Sequence, residues 1–515
     1  MKGQIIEGHQ IEADVQRACD VCVIGSGAGG AVLAEGLVAA GLRVVMLEAG
    51  GYHTRRDFDL DEARAYPMLY QERGGRATSD LAISILQGRS VGGSTTVNWT
   101  TCFRTPERIL RIWRERHGLE GLGVEALEPH FEAVEARLGI GTWPESLANE
   151  NNRALLRGAR ALGLRAAPLR RNVRGCASSG YCGLGCPVDA KQAMHVTYLP
   201  DAIAAGMILH SDVEVQRLVR RDDAIVEVQG VVLQRGSLRP PGRPRRITVR
   251  PRLVALCGGA INSPALLMRS GLDGDRTGLR TFLHPVIAVT GRYPHRIDPF
   301  YGAPQSIGSH AFIDRGPDRI GFFLEAAPAQ PMLAATSSSA FGAELATFMG
   351  QLPHLSSLIA LHVDGLLPGD EGGSVTLDGS GRPRLDYPIS GAMAEAMAES
   401  HEVLARIHLA AGADWAGTLH HEPVRIRGEA ELPMLGWRRY GAHEHAIFSA
   451  HQMGGCAMGP DPRTSVVGLD LRHHVLRNLF VVDGSVLPTA LGVNPSETIY
   501  ALAHRARGAI VDAVR

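Results

Sequence analysis

The chain has 515 residues, of which 45% are hydrophobic and 21% charged, and its formal net charge is zero. This length predicts more than one domain, because a single hydrophobic core rarely grows beyond about 250–300 residues. The balanced charge gives no electrostatic footprint for nucleic acid. Every stretch of about 18 residues contains a charge or a polar break, and the N-terminus lacks the apolar core of a signal peptide. We therefore expect no nucleic-acid partner, no membrane span and a cytoplasmic location.

The clearest predicted unit is a strand, a helix and a second strand in residues 20–50. Gly25, Gly27 and Gly30 form a GxGxxG motif between the first strand and the helix. Glycines at these positions allow a tight turn, close approach to a pyrophosphate and packing of helix on strand. Glu48 ends the second strand, where its carboxylate can accept hydrogen bonds from a ribose. The unit predicts a dinucleotide site without choosing between NAD and FAD.

Two further strand–turn–helix units lie in residues 253–271 and at the C-terminal end of the chain. Residues 286–445 instead contain short alternating runs, which are typical of an antiparallel sheet. The segment GSLRPPGRPRR is predicted to be an exposed hairpin loop, because its prolines cannot join a central ladder.

The predicted fold class is α/β, with a discontinuous Rossmann-like cofactor-binding domain and an inserted α+β substrate domain built on an antiparallel sheet. The expected limits are 1–105, 200–285 and 446–515 for the cofactor domain, 106–199 for a cap that carries a cysteine loop, and 286–445 for the substrate domain.

Three segments carry a resemblance to a known family. GRSVGGSTTVNWTTCFRTP, from Gly88, is by itself typical of a backbone-rich cradle for a large cofactor, or of a plain polar loop. GGAINSPALLMRSGL lies in the second unit, and Asp273 follows where the family usually has glycine. The third segment runs from SAHQMGGCAMG to YALAHRA. Together they resemble the glucose–methanol–choline (GMC) oxidoreductases, most closely the long-chain alcohol oxidase and sterol oxidase branch.

The resemblance implies an FAD-binding enzyme that oxidises an alcohol by hydride transfer to the flavin. It implies cofactor contacts at Gly92, Gly93, Asn98, Val215, Asp483 and Gly484. Some relatives tether FAD through a histidine just before the asparagine, and Val97 stands at that position here. We therefore expect FAD to be held noncovalently.

The resemblance also implies two active-site residues, His451 and Asn494. An alcohol releases hydride readily only when its hydroxyl proton is removed or shared, and an imidazole with an unperturbed pKa of about 6.5 can accept that proton. The Asn494 amide can donate a hydrogen bond to the substrate oxygen. His451 is accordingly expected to be the base. The structural alternatives are a buried histidine paired with backbone and an Asn-Pro turn.

Cys176, Cys182 and Cys186 lie in one glycine-rich loop. Thiolates at such spacing can hold an iron–sulfur cluster, and the loop resembles the [3Fe–4S] site of bacterial FAD-dependent glucose dehydrogenases. The alternatives are a zinc ion with a fourth ligand such as His195, and thiols that bind no metal. A cluster predicts a dehydrogenase that passes electrons to a redox partner, whereas its absence predicts an oxidase that reduces O₂.

The family branch predicts a hydrophobic small-molecule alcohol, long-chain or sterol-like. Two apolar stretches, LIALHVDGLLPG and AFGAELATFMG, are compatible with a substrate pocket but are more typical of core. Three alternatives from other classes stay open at this point: a hydroxynitrile-lyase-type flavoprotein without redox chemistry, an electron carrier, and a nicotinamide dehydrogenase.

Overall fold

The computed structural model describes residues 3–233, 243–436 and 438–515. The α-helices are α1 (Ala28–Ala39), α2 (Glu62–Leu69), α3 (Glu107–His117), α4 (Val124–Leu138), α5 (Glu150–Ala161), α6 (Tyr198–Ala204), α7 (Asn262–Arg269), α8 (Pro331–Ser337), α9 (Gly342–Gly350), α10 (Gly391–Ala410) and α11 (Ser496–Val514). The strands are β1 (Gln4–Ile6), β2 (Val15–Ile24), β3 (Val44–Leu47), β4 (Ile83–Ile85), β5 (Ile140–Thr142), β6 (Ala167–Pro168), β7 (Arg170–Asn172), β8 (Ile208–His210), β9 (Val213–Arg221), β10 (Ala224–Val232), β11 (Arg246–Leu256), β12 (Leu279–Phe282), β13 (Val286–Arg292), β14 (Ile307–Phe312), β15 (Phe322–Ala326), β16 (Leu355–His362), β17 (Gly373–Leu377), β18 (Pro383–Asp386), β19 (Trp415–Thr418), β20 (Arg425–Ile426), β21 (Ile447–Ser449), β22 (Met453–Gly454) and β23 (Leu479–Val481).

A mainly parallel sheet forms the cofactor body. Its strand order is β1-β8-β3-β2-β11-β10-β9, and β11 pairs with β10 through its first residues and with β23 through its last. The three predicted strand–turn–helix units are therefore neighbours in one sheet, which confirms the Rossmann-like architecture. The strands β10 and β11 pair antiparallel, as the arms of a hairpin do. Most of the predicted proline-rich loop, residues 236–242, lies outside the described residues.

A nine-stranded, largely antiparallel sheet forms the second body, in the order β20-β19-β13-β16-β15-β14-β6, with β21 paired to β13 and to β4. Successive side chains of a strand point to opposite faces. On β13, Ile287 and Val289 pack with Met397 of α10. Val286 and Ala288 instead belong to the core of the cofactor body. The sheet thus separates α10 from the cofactor body, and its inner face borders the site described below.

The domain limits expected from the sequence stay a prediction, and the strand pairing crosses them in three places. The strands β4 and β21 come from segments assigned to the cofactor domain but join the antiparallel sheet. From the segment assigned to the cap, β6 pairs with β14. The strand β12 pairs with both β17 and β22. An alternating pattern identifies a strand but not its partner, so these crossings were not visible in the sequence.

Among the described residues, no helix has both the length and the apolar character that crossing a membrane requires.

Candidate active site

A cavity of about 650 Å³ opens at the carboxyl ends of the parallel strands, which is where ligands bind in sheets of this kind. Its volume is within the range of cofactor and ligand sites. Of the residues predicted from the sequence, its wall contains Gly25, Gly27, Glu48, Gly93, Asn98, Val215, His451, Asp483, Gly484 and Asn494. The fold therefore brings together residues that are up to 469 positions apart in a 515-residue chain, taking Gly25 and Asn494 as the extremes.

Two glycine turns form the part of the wall nearest the start of α1. Gly25 has a φ of 99°, and a Cβ there would clash with the carbonyl of Cys257. A Cβ on Gly93 would lie 2.7 Å from the Cα of Gly27, so the two turns touch through bare backbone. Gly30 lies behind the wall, where a Cβ would clash with the carbonyl of Gly25. The unpaired N–H groups at the start of α1 are thus available to a pyrophosphate.

The Glu48 carboxylate ties these two turns together. Its Oε2 accepts hydrogen bonds from the backbone N–H of Ser26 at 2.9 Å and the Ser26 hydroxyl at 2.7 Å, and its Oε1 accepts one from Gly50 N–H at 2.6 Å. The N–H of Gly92 donates to the Ser26 hydroxyl oxygen at 3.0 Å. A carboxylate has about four lone-pair positions, so Glu48 can also accept hydrogen bonds from a ribose in the cavity.

The Asp483 carboxylate likewise connects two turns, those of the second and third strand–turn–helix units. Its Oδ2 accepts hydrogen bonds from Gly259 N–H at 2.8 Å and the Ser263 hydroxyl at 2.6 Å, while Oδ1 accepts one from Ser485 N–H at 2.8 Å. The carboxylate therefore positions the turn before α7 against the loop after β23. Asp483 shapes the cavity as well as lining it.

His451 and Asn494 lie side by side in the cavity wall, with His451 Nε2 3.3 Å from Asn494 Nδ2. On its other side, His451 Nδ1 is 3.1 Å from Nδ1 of His284, a histidine that is fully buried. Burial lowers the pKa of His451 to about 4 and that of His284 well below its usual value. Both imidazoles are therefore neutral at pH 7, and each has a nitrogen lone pair.

The backbone N–H of Gly492 donates to His284 Nε2 at 3.1 Å. The proton of neutral His284 therefore lies on Nδ1 and points at His451 Nδ1. In this arrangement neutral His451 carries its own proton on Nε2, towards Asn494 and the cavity. The resting pair presents an N–H to a bound oxygen, and a lone pair appears on Nε2 only when that proton leaves.

Sequence reasoning missed His284 and the residue that holds it, Asp364. The Asp364 carboxylate accepts hydrogen bonds from the N–H groups of Leu283 and His284, at 2.8 and 3.0 Å, and from the Tyr387 hydroxyl at 2.7 Å. It supports His284 in a left-handed conformation, with φ of 45°. His284 and His451 are 167 positions apart, and no local pattern links them.

Glu325 is a second residue that sequence reasoning missed. It lies on the inner face of β15, only 1% exposed, and burial raises the pKa of its carboxyl to about 8. The Asn494 amide partly offsets this shift, although the two groups are beyond ordinary hydrogen-bond geometry. A glutamate inside the apolar run GFFLEAAP was a signal that could have found it, because buried carboxyls cluster at functional sites.

The cysteine loop lies directly behind the cavity wall. Cys176, Cys182 and Cys186 all line a second cavity of about 20 Å³. The Tyr70 hydroxyl, which belongs to the larger cavity, donates to the carbonyl of Gly183 at 2.7 Å. A hydrogen bond therefore links the wall of the larger cavity to the cysteine loop.

Two buried cations border this loop. Lys191 Nζ donates to the carbonyl oxygens of Asn98 at 3.0 Å and Cys182 at 2.7 Å, and burial lowers its pKa to about 8. Arg171, 1% exposed, has Nη2 at 3.9 Å from the Cys182 sulfur, while its Nε and Nη1 have no hydrogen-bond partner. Within the described part of the chain, neither cation has a carboxylate partner. Unpaired buried positive charge fits an anionic sulfur centre.

The space beside the thiols fits such a centre less well, because about 20 Å³ has room for roughly one water molecule. A zinc ion fits no better. In the described ranges, the group of three ligand atoms within 4.8 Å of one another contains only histidines, and neither the three sulfur atoms nor His195 belong to it. His195 lies instead beside the Thr96 hydroxyl, at 3.3 Å.

Family models for the N- and C-terminal parts of the GMC oxidoreductases match residues 66–286 and 368–503. The chain belongs to the GMC oxidoreductase family. The resemblance predicted from the three sequence segments is therefore confirmed.

Named relatives of this GMC oxidoreductase are similar over almost its whole length. An uncharacterized GMC-type oxidoreductase of Mycobacterium tuberculosis is 31% identical, over 94% of this chain and 74% of the relative. A long-chain-alcohol oxidase of Arabidopsis thaliana is 30% identical, over 96% of this chain and 69% of the relative. Among solved structures, a pyridoxine 4-oxidase from Mesorbium loti has a TM-score of 0.69 at 21% identity, over 95% of this chain and 99% of that chain. A formate oxidase of Aspergillus oryzae, in a study of its FAD modification, has a TM-score of 0.69 at 14% identity, over 97% and 99%.

This GMC oxidoreductase is thus an FAD-dependent oxidoreductase of the alcohol-oxidising type. Its cavity fits the cofactor, because bare glycine backbone and the start of α1 suit the pyrophosphate while Glu48 suits a ribose. The alternative of a nicotinamide dehydrogenase, which depended on the first glycine motif alone, is therefore wrong.

Proposed function

We propose that this enzyme oxidises a hydrophobic alcohol, long-chain or sterol-like, to the aldehyde or ketone, with noncovalent FAD as hydride acceptor and His451 as proton acceptor. The observation that carries the proposal is the pairing of His451 with Asn494 in the wall of the same cavity as both glycine turns. A hydroxyl between these two side chains would be held at the edge of a cavity suited to the flavin.

When bound, FAD supplies the acceptor for the hydride that leaves the carbinol carbon. The chain's own residues hold the carbinol oxygen and receive its proton, so the alcohol loses two electrons and two hydrogens and becomes a carbonyl. Asn494 donates to the oxygen without competing for the proton. His451 is neutral at pH 7 because burial lowers its pKa to about 4, so it has one ring nitrogen with a lone pair, which can accept a proton once that nitrogen faces the substrate.

The His284 contact sharpens the role of His451. To accept a substrate proton at Nε2, neutral His451 must adopt its other tautomer, with its own proton on Nδ1 and the proton of His284 moved from Nδ1 to Nε2, against the contact with Gly492 N–H. His451 Nε2–H is then a hydrogen-bond donor to the bound oxygen in the resting tautomer and an acceptor in the other. We propose that His284 sets the balance between these tautomers and so tunes the strength of the base.

A hydrophobic substrate is supported by the long-chain-alcohol oxidases among the relatives and by apolar side chains in the cavity wall, Leu86, Val97, Trp99 and Ile499. The two apolar stretches noted in the sequence do not contribute. One forms the central strand β16 and the other forms α9, and neither lines the cavity. Val97 also supports noncovalent FAD, because its side chain has no nucleophile.

An anaerobic panel of alcohols tests this proposal. The FAD-loaded enzyme is mixed without oxygen with primary alcohols of increasing chain length, with a sterol and with glucose as a polar control. We expect bleaching of the oxidised flavin that is fastest for the long-chain or sterol substrates. Flavin that stays oxidised with every alcohol would contradict oxidation and favour a lyase on the same fold.

A second candidate differs only in where the electrons go after the flavin. Buried Arg171, whose Nε and Nη1 have no hydrogen-bond partner, and the nearby Lys191 favour an anionic sulfur centre at the cysteine loop, although the space there is small. Such an enzyme would be a dehydrogenase with a redox partner rather than an oxidase that reduces O₂. Iron and acid-labile sulfide, measured on protein purified without oxygen, decide this. About three irons per chain would favour the dehydrogenase, and none would favour the oxidase.

A further inference from the structure

Three histidines meet behind the antiparallel sheet, away from the flavin cavity. His401 lies on α10, His420 follows β19, and His445 precedes β21. One ring nitrogen of each lies within 4.8 Å of the others, and the Nε2 atoms of His401 and His445 are 3.0 Å apart. All three are buried, with exposures of 0%, 4% and 6%, and none of them lines the cavity of the active site.

The hydrogen bonds of His401 show which nitrogen it presents to the other two. Its Nδ1 is 2.8 Å from the carbonyl oxygen of Met397 and 3.1 Å from the hydroxyl oxygen of Tyr440. A carbonyl oxygen only accepts, so the proton of neutral His401 lies on Nδ1 and the lone pair on Nε2. Metal-ligating histidines are typically oriented in this way, by donating their other N–H to a backbone carbonyl.

The other two histidines have ring nitrogens without partners. Neither Nδ1 nor Nε2 of His420 has a hydrogen bond, and Nδ1 of His445 has none. Leaving a buried polar group unpaired costs about 1–3 kcal/mol each. A hydrogen bond shared between His401 and His445 would account for their 3.0 Å contact, but it leaves both nitrogens of His420 unpaired.

The chemistry of the group suits a metal. Within the described residues, the three rings are buried and have no carboxylate among them, and one nitrogen of each faces the others. Three neutral imidazoles supply three lone pairs, and imidazole is a preferred ligand of Zn²⁺, Cu²⁺ and Ni²⁺. Zinc–nitrogen bonds of about 2.0–2.1 Å at tetrahedral angles separate two ligand nitrogens by about 3.3 Å, close to the spacing of His401 and His445.

We propose that His401, His420 and His445 form a binding site for a divalent transition-metal ion of the zinc class, separate from the flavin and from the cysteine loop. The ion would join α10 to the segments beside β19 and β21. The strand β21 ends at Ser449, two residues before His451. A metal ion bound to His445, just before β21, would therefore restrain the segment that carries His451. The proposal does not depend on which alcohol the enzyme oxidises.

Metal analysis of the holoenzyme tests this site. The full chain, without a histidine tag, is produced with added Zn²⁺, loaded with FAD and freed of loosely bound metal on a chelating resin. We expect about one zinc ion per chain. His420→Gln should weaken zinc binding by about 100-fold or more, while His421→Gln should not, because His421 is exposed and adjacent. Flavin content of each variant reports on folding.

X-ray absorption at the zinc edge of the parent enzyme decides the outcome even if His420→Gln does not fold. Nitrogen neighbours at about 2.0–2.1 Å are expected for the histidine site, whereas sulfur neighbours at about 2.3 Å would assign the metal to the cysteine loop. A sulfur shell, or holoenzyme that retains no zinc, would overturn the proposal.

Discussion

Two groups of buried histidines in this molecule have the same charge state but different surroundings. The pair His284–His451 opens on the flavin cavity, and every ring nitrogen of the pair has a polar neighbour. The triad of His401, His420 and His445 is closed off from that cavity and has unpaired ring nitrogens. Burial makes both groups neutral. The imidazole that opens on the cavity, His451, is the one we propose as the proton acceptor, and the enclosed triad is the group we propose as a metal site.

Replacing His451, the member of the pair that lines the cavity, should have the largest effect. In His451→Ala the hydroxyl proton has no acceptor, so the rate of anaerobic flavin reduction by an alcohol should fall about 10²–10⁴-fold, with FAD still bound. Stopped-flow absorbance of the flavin measures it. His310→Ala is the matched control, because His310 stacks on Phe323 nearby without touching His451. An unchanged rate in His451→Ala would remove the assigned base.

Replacing the inner member should have a smaller effect. His284→Phe keeps an aromatic ring but removes the contacts to His451 and Gly492, so the reacting imidazole loses its orientation. We expect kcat to fall about 10–100-fold, with a smaller change in KM. Steady-state kinetics measure kcat and KM. His310→Phe is the control, because it makes the same substitution at a histidine outside the pair. An unchanged kcat in His284→Phe would show that His284 does not position His451 for the reaction.

The pH dependence of kcat/KM should show a change of about tenfold per pH unit, confined to pH values below the pKa of His451. A base with its pKa lowered to about 4 is already neutral at pH 5, so kcat/KM should stay level from pH 7 down to about 5. It should then fall as the pH drops through about 4, because His451 gains a proton. Circular dichroism at each pH separates this from acid unfolding. A fall centred near the ordinary histidine pKa of about 6.5 would contradict the burial argument.

Glu325 should affect stability rather than the rate of the reaction. Its carboxyl keeps its proton up to about pH 8 when folded but releases it near pH 4.3 when unfolded. The unfolded state therefore binds fewer protons between these values, and the contribution of Glu325 to the free energy of unfolding should fall by about 1.4 kcal/mol for each unit that the pH rises across that range. Glu325→Gln should remove this contribution and leave that of the other titrating groups, and urea titrations of both proteins at several pH values measure the difference between their slopes. An identical slope in both proteins would contradict it.

The sequence could group most residues of the candidate cofactor site because they lie in short local motifs. Gly25 and Gly27 lie in one turn between a strand and a helix, and Glu48 follows at the end of the next strand. His451 and Asn494 lie in one recognisable C-terminal block. By contrast, His284 comes to His451 from 167 positions away, and periodicity carries no information on such pairings.

The histidine triad and the cysteine loop both show how little the spacing of residues along the chain says about a metal site. His401, His420 and His445 lie on three separate segments, so spacing along the chain gave no sign of them. The cysteines are close in sequence, and they do share one cavity, but its volume of about 20 Å³ could not be predicted from their spacing. Proximity in the chain identifies a candidate set of ligands, and only the fold decides the space between them.

Hydride transfer from a carbinol carbon is the central claim, and its most direct test is a deuterium isotope effect on anaerobic flavin reduction. The FAD-loaded enzyme is mixed with a long-chain primary alcohol and with the same alcohol deuterated at the carbinol carbon. We predict that the flavin bleaches with both and several-fold more slowly with the deuterated one. Flavin that remains oxidised with both alcohols would contradict the account.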